Sequence, residues 1–222
     1  MPKYIDLSLT FDGKFGKFDK KFNIDFKKDR TYEQVGRQAS SFTMSSHGHT
    51  HLDAPLHMAG PDTKTITDYP VDYFIGEASL INVPRGKNEP ITGADLEAAG
   101  KHCRNDDIVI IRTGWVEKMF GKEEFIDSPY LTDDAAEWLV RLKARIVGYD
   151  FVHDYNARVF VRGGTVKTED CTIHLILLRN GVLNLEFLNN LSKIEVPRFQ
   201  IFALPIKLKD ADGAPCRPVA VV

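Results

Sequence analysis

The chain of 222 residues is 43% apolar, 27% charged and 10% aromatic, which excludes disordered and collagen-like polymers. Its 29 basic and 31 acidic residues leave a formal charge of -2, too weak a field to gather nucleic acid or an anionic membrane. A small-molecule partner is therefore expected, and area scaling lets a chain of this length bury about 70% of its unfolded surface without disulfides.

A first strand is expected at Tyr4 to Thr10, and the rest of the first 45 residues, aromatic and Lys-rich without helical period, suits a hairpin or an irregular arm. Further β-rich runs at Glu77 to Val83, Ile108 to Thr113, Arg145 to Tyr149, Val182 to Glu186, Phe199 to Ala203 and Pro218 to Val222 are each bounded by Gly, Pro, Asn or Asp. Helices fall between them. Thr92 is positioned to cap Gly93 to Gly100, and Thr132 to cap a helix with Ala135, Trp138, Leu139 and Leu142 on one face. Thr168 starts a third, with Cys171, His174, Leu175 and Leu178 at helical spacing and Gly181 as its stop. Strands alternating with helices imply an α/β fold with a substantially parallel sheet. No repeat or linker divides the chain, so one domain over 1–222 is expected.

Cys103, Cys171 and Cys216 are odd in number and far apart, so packing roles and a reducing compartment are expected, without a disulfide framework or a cysteine zinc site. Met1 to Asp6 lacks the apolar run of a signal peptide, and no stretch approaches the ~20 apolar residues of a membrane span. A cytoplasmic location with no membrane partner is the expectation.

Four of the seven histidines fall between His47 and His57, in Ser46-His47-Gly48-His49-Thr50-His51-Leu52-Asp53-Ala54-Pro55-Leu56-His57. Imidazole and carboxylate without thiolate suit a hydrolytic zinc, manganese or iron ion. On an extended segment His47, His49, His51 and Asp53 would share one face. A straight strand separates the Cα atoms of His47 and His51 by about 13 Å, so the backbone should bend, with Gly48 as the residue that permits it. Such a row does not complete a metal shell. His174, on an apolar helical face, is either a satisfied core residue or a distant ligand. Glu186 ends an apolar run, where a carboxylate must pair, bind metal or reach solvent. Asp150 and His153 follow a strand, where binding groups and solvated loop polarity are both common.

The segment from His47 to His57 resembles the H-x-G-T-H-x-D-x-P-x-H signature of the Putative cyclase family of metal-dependent hydrolases, which includes bacterial kynurenine formamidases and isatin hydrolases. Ile5-Asp6-Leu7-Ser8, Ile111-Arg112-Thr113-Gly114-Trp115 and Asp212-Gly213-Ala214-Pro215-Cys216-Arg217 resemble its opening strand, a middle strand end and its closing segment. The resemblance implies a three-layer β/β/α swivelling domain assembled as a homodimer or homotetramer. It also implies a binuclear site for two Zn²⁺ ions, or Mn²⁺ instead. His47 and His51 would hold the first metal, His174 the second, and Asp53 and Glu186 would bridge or contact both, leaving His57 as the acid/base. Two departures stand out. His49 occupies the signature's glycine, as an added ligand, substrate contact or bystander, with Gly48 beside it to take the conformational role. Phe18 stands where kynurenine formamidases place a substrate-stacking tryptophan, among Lys14, Lys17, Lys20 and Lys21.

The function this implies is hydrolysis of an amide C–N bond in a small aryl formamide or cyclic amide by metal-activated water. No Ser or Cys sits in a nucleophile motif. His57 would carry the proton to the leaving nitrogen. A lactone or ester hydrolase is the rival enzyme, and a non-catalytic metal-binding protein of the same fold is the other alternative.

Overall fold

The structure, a computed structural model, describes residues 1–11 and 24–222. Phe18 and its surrounding lysines lie outside the described residues. In chain order the first half holds β1 (Tyr4–Asp6), β2 (Asp25–Arg30), α1 (Tyr32–Val35), β3 (Ala39–Thr43), β4 (His51–Asp53), β5 (Ile75–Asn82), β6 (Pro90–Ile91), α2 (Gly93–Ala99) and β7 (Ile108–Arg112). The second half holds α3 (Trp115–Met119), β8 (Tyr130–Leu131), α4 (Asp133–Arg141), β9 (Ile146–Tyr149), α5 (Ala157–Val161), α6 (Thr172–Arg179), β10 (Leu183–Glu186), β11 (Arg198–Phe202), β12 (Gly213–Pro215) and β13 (Val219–Val221).

One mixed sheet runs in the order β1, β13, β11, β5, β7, β9, β10, β4, β12. Its middle strands β5, β7, β9 and β10 are parallel. Antiparallel pairing takes over on both sides, through β11, β13 and β1 at one edge and β4 and β12 at the other.

The middle strands are buried on both faces, as apolar runs without polar alternation require. Val109, Ile111, Val147 and Tyr149 pack under Leu96 of α2, Leu139 of α4 and Leu177 of α6. Ile108, Ile110, Ile146 and Leu185, one residue out of phase, pack with Leu52, Ala214, Ile201 and Ala220 of the antiparallel strands. The sheet curls so that its antiparallel ends cover the second face, giving the expected order of helix, strand and strand layers. Gly148 makes the packing possible in β9, since a Cβ there would stand 2.6 Å from Ile110 Cδ1 and 2.8 Å from Leu188 Cδ1.

The expected strands are present with small changes of extent. The first ends at Asp6 instead of Thr10 because the Asp6 carboxylate accepts the Ser8 backbone N–H at 3.0 Å and the Leu9 N–H donates to Thr50 Oγ1 at 2.8 Å. The early arm contains a hairpin, β2 against β3, with every strand residue exposed. Thr92 caps α2 as expected, in a reciprocal pair with Asp95. The third helix departs from expectation. Thr168 to Asp170 form a separate 3-10 turn, closed by the Asp170 carboxylate on the Lys167 N–H, and α6 begins only at Thr172 with Cys171 as its N-cap. Leu175 and Leu178 are buried in α6 as expected, together with Ile173 and Leu177, which pack under the sheet, while His174 lines the cleft at the carboxyl ends of β9 and β10 with Glu186. That end of a parallel sheet, beside the switch to antiparallel β4, is where α/β folds place ligands.

Candidate metal centre

Register assembles the floor of the site. Glu186 of β10 stands opposite His51 of β4, and Asn184 opposite Asp53. Directly opposed residues share a sheet face, so all four point one way while Leu52 and Leu185 enter the core between them. Thr50 ties this corner together, accepting from the Leu9 N–H and donating its hydroxyl to the Phe187 carbonyl at 2.8 Å. On the other side of β4, Gly213 lies opposite Asp53, and a Cβ there would meet His47 Cε1 at 2.8 Å. Glycine gives the His47 ring its seat.

The histidine row is not a single bent strand. Strand geometry starts at His51, and residues 47–50 form a turn. The expected hinge at Gly48 is corrected: His49 itself adopts the left-handed conformation, with φ 59°, whereas Gly48 has no positive φ. A non-glycine residue there costs about 1–3 kcal/mol. The turn offsets it by presenting the His49 carbonyl to the His51 Nδ1–H at 2.7 Å. The His49 ring packs edge-on to Phe11, 5.0 Å away, and toward Phe120, and it is not among the residues lining the cleft described below.

Each of three other imidazoles has one nitrogen fixed by an outer acceptor. His51 Nδ1–H donates to the His49 carbonyl, His47 Nε2–H to Asp212 Oδ2 at 2.7 Å, and His174 Nδ1–H to Asp154 Oδ2 at 2.6 Å. Their inner nitrogens converge on two carboxylates. His47 Nδ1 lies 2.7 Å and His51 Nε2 3.1 Å from Asp53 Oδ1, while His174 Nε2 lies 3.3 Å from Glu186 Oε1 and 3.8 Å from Asp53 Oδ2. Outer acceptors that set tautomer and aim are the usual support of metal-binding histidines. His47, His51 and Asp53 can hold one ion, and so can His153, His174 and Glu186; Asp53 also lies within reach of His57 and His174.

A divalent cation fits this donor set. Asp53 is 1% exposed, and its Oδ2 accepts no hydrogen bond. Leaving such an atom unsatisfied costs about 1–3 kcal/mol or more for a charged group. Burial alone would raise the Asp53 carboxyl, but the imidazoles of His51 and His47 hold it well below the usual carboxylate range. Burial likewise opposes the charge on His47, yet Asp53 and Asp212 lift its pKa to about 10. His174 is also raised, with Asp154 and Glu186 overcoming its burial. Protons on His47 and His174 thus supply the positive charge that a cation would supply in their place.

The site opens into a cleft of about 370 Å³. Its far wall is apolar, built from Ile126, Val152, Phe160 of α5 and Phe187. His57 follows Pro55 on a 3-10 turn, stacks on His47 at 3.8 Å and lies 3.5 Å from Asp212 Oδ2 through Nδ1. Burial lowers its pKa, with Asp53 acting against and His47 with the shift.

Two residues at the site escape a reading of spacing. Asp154 is twenty positions from the His174 it orients, and only its place after β9 marks it. Asp212 was visible as the start of the closing segment, beside the Gly213 that seats His47. Asp150 serves structure instead: buried, it accepts the Thr113 and Gly114 backbone N–H groups at 2.7 and 2.6 Å and so holds the loop after β7. Asp154→Asn is expected to weaken metal binding at His174 by about 10- to 100-fold, the usual effect of losing such an outer carboxylate. Competition with a chromophoric chelator measures it, and unchanged affinity for both ions would contradict the role.

Comparison with known proteins decides the family. The Cyclase model, described as "Putative cyclase", matches residues 5–153. The chain belongs to the Putative cyclase family. The matched part of the chain includes the signature from His47 to His57, whereas His174, Glu186 and Asp212 lie beyond it. The chain is 27% identical over 219 residues to the kynurenine formamidase of Bacillus cereus, covering 98% of this chain and 96% of that one. Cyclase-like protein 1 of Arabidopsis thaliana is 30% identical over 193 residues, covering 82% and 69%. Among solved structures, isatin hydrolase A from Labrenzia aggregata, bound to benzyl benzoate, matches the whole of this chain and 94% of its own with a TM-score of 0.83 at 21% identity. An isatin hydrolase bound to the product analogue thioisatinate gives 0.84 at 22% identity, over 100% and 92%. Those likenesses show that the chain has the fold of the isatin hydrolases. Among the described residues, no helix is long and apolar enough to cross a membrane.

Proposed function

We propose that the chain is a metal-dependent amide hydrolase, cleaving the C–N bond of a small aryl formamide or cyclic amide with activated water. The observation that carries this reading is the convergence of the inner nitrogens of His47, His51 and His174 on the buried carboxylates of Asp53 and Glu186 at the floor of an open cleft. His47, His51 and Asp53 would hold one cation, and Asp53, His174 and Glu186 a second. Two such ions, zinc or manganese, would lower the pKa of a bound water toward neutrality and polarise a carbonyl.

The remaining steps belong to side chains. His57 lines the cleft beside this floor with its pKa lowered, so it is neutral near pH 7 and able to take a proton from the attacking water. It would then pass that proton to the leaving nitrogen, which departs from an amide only when protonated. An ester or lactone oxygen needs this help less, so His57 favours the amide reading over the ester alternative. The wall of Ile126, Val152, Phe160 and Phe187 suits an aromatic or otherwise apolar body beside the scissile carbonyl. Relatives named kynurenine formamidase span nearly the full chain, which supports the amide class. The same reading takes residues 1–222 as one catalytic unit, acting on a small molecule in the cytoplasm as a homodimer or homotetramer.

Turnover of N-formylkynurenine, isatin and simple lactones, with and without chelator, tests the reading. Chelator-sensitive hydrolysis of an amide in preference to the lactones is expected, and preferential lactone cleavage would overturn the amide assignment.

Metal binding must also displace protons. The metal-free His47 holds its proton up to a pKa of about 10, and the raised pKa of His174 has the same sign. Falling pH therefore opposes loading, and affinity should rise with pH from 6 toward 9. Calorimetry in two buffers of different ionisation enthalpy should show about two protons released per fully loaded chain near pH 7. Loading without proton release would contradict the arrangement.

A further inference from the structure

The metal reading above uses three donors at each position, yet a fourth imidazole stands at the second one. His153 follows β9 and is 1% exposed, and neither of its ring nitrogens has a hydrogen-bond partner. Buried polar groups are almost always paired, and two unpaired nitrogens on one buried ring call for a partner the protein itself does not supply. The ring is fixed in place, stacked on Tyr149 at 4.6 Å and 4.2 Å from the His174 ring, with Nδ1 3.4 Å from Glu186 Oε1. His174 Nε2 stands 3.3 Å from that same oxygen. Ligand bonds of about 2.0–2.1 Å in a tetrahedral shell place neighbouring donor atoms about 3.3 Å apart, which matches both separations.

We infer that His153 is a direct ligand of the second cation, which thereby has four protein donors: Asp53, His153, His174 and Glu186. The inference rests on the metal-site reading under Proposed function. It makes the two positions unlike. The first, with His47, His51 and Asp53, keeps a coordination place open to the cleft, whereas the second is closed by side chains in the manner of sites that retain their metal. The second ion should accordingly leave slowly in the presence of chelator and the first quickly.

The test is titration of metal-free protein with Zn²⁺ or Co²⁺ alone, in competition with a chromophoric chelator, for the unaltered chain, His153→Ala and His153→Gln. The unaltered chain should bind two ions, one slow to leave. His153→Ala should bind the fast ion with unchanged affinity and the slow one at least about 100-fold more weakly, a loss at the upper end of what outer-sphere changes cause. His153→Gln should fall between them. Melting of the metal-free forms by circular dichroism separates a folding defect from lost ligation. Nitrogen chemical shifts of the zinc-loaded, unaltered chain give a reading that needs no variant: His153 should shift as a metal-bound imidazole along with His47, His51 and His174. Two ions bound by His153→Ala with unaltered affinities, or an unshifted His153 ring, would overturn the inference while leaving the metal site intact. A chain that binds no ion at all would overturn both.

Discussion

Asp53→Asn is expected to abolish two-ion binding and turnover together. Asp53 presents one oxygen to each donor group: Oδ1 meets His47 and His51, and Oδ2 lies toward His174. The amide keeps the shape but loses the charge and turns a donating NH₂ toward nitrogens or a cation, so both positions suffer. The loss should lie well beyond the ~10- to 100-fold typical of removing an outer hydrogen bond, and so beyond that of Asp154→Asn. Metal content and turnover measured on one preparation decide it. Two ions retained at unaltered affinity would show that Asp53 is not shared.

His57→Ala should instead keep both metals and lose on the order of 10² to 10⁴ in rate, the usual contribution of a positioned acid/base. His57 stacks on His47, so His57→Gln is the companion variant that preserves cover over that ring. The pH profile adds a second readout. The lowered pKa of His57 puts the acid limb of the rate below pH 6.5, and that limb should vanish in both variants. If metal content falls along with the rate, His57 is a ligand; if neither falls, it is a bystander.

The β-rich runs were legible because the parallel strands are buried on both faces, and continuous apolar runs such as Ile108 to Ile111 have no other stable home. The cap at Thr92 was legible because capping is local chemistry, whereas Thr132 stands at the N-cap position of α4 but turns its hydroxyl to the Ile91 carbonyl and the Asp134 carboxylate instead of capping. The start of α6 was not legible, since Thr168 opens only a short 3-10 turn capped by Lys167, whose N–H the Asp170 carboxylate accepts, and the helix restarts after Cys171. Spacing placed the signature histidines on one segment, but it could not tell that His49 would itself take the left-handed turn expected of Gly48. Long-range partners were the least legible. Glu186 meets His51 through β10 and β4 register, and Asp154 and Asp212 reach His174 and His47 only after the sheet has curled. His153 was one polar residue among several after a strand, and only its burial without partners sets it apart.

The most direct measurement of the central claim is amide turnover by chelator-stripped protein against equivalents of Zn²⁺ or Mn²⁺ added per chain. Turnover should be absent without metal, rise with loading and level off at two equivalents, with Asp53→Asn inactive throughout. Full turnover by the metal-free chain, or none at any loading despite two bound ions, would contradict a metal-dependent amide hydrolase.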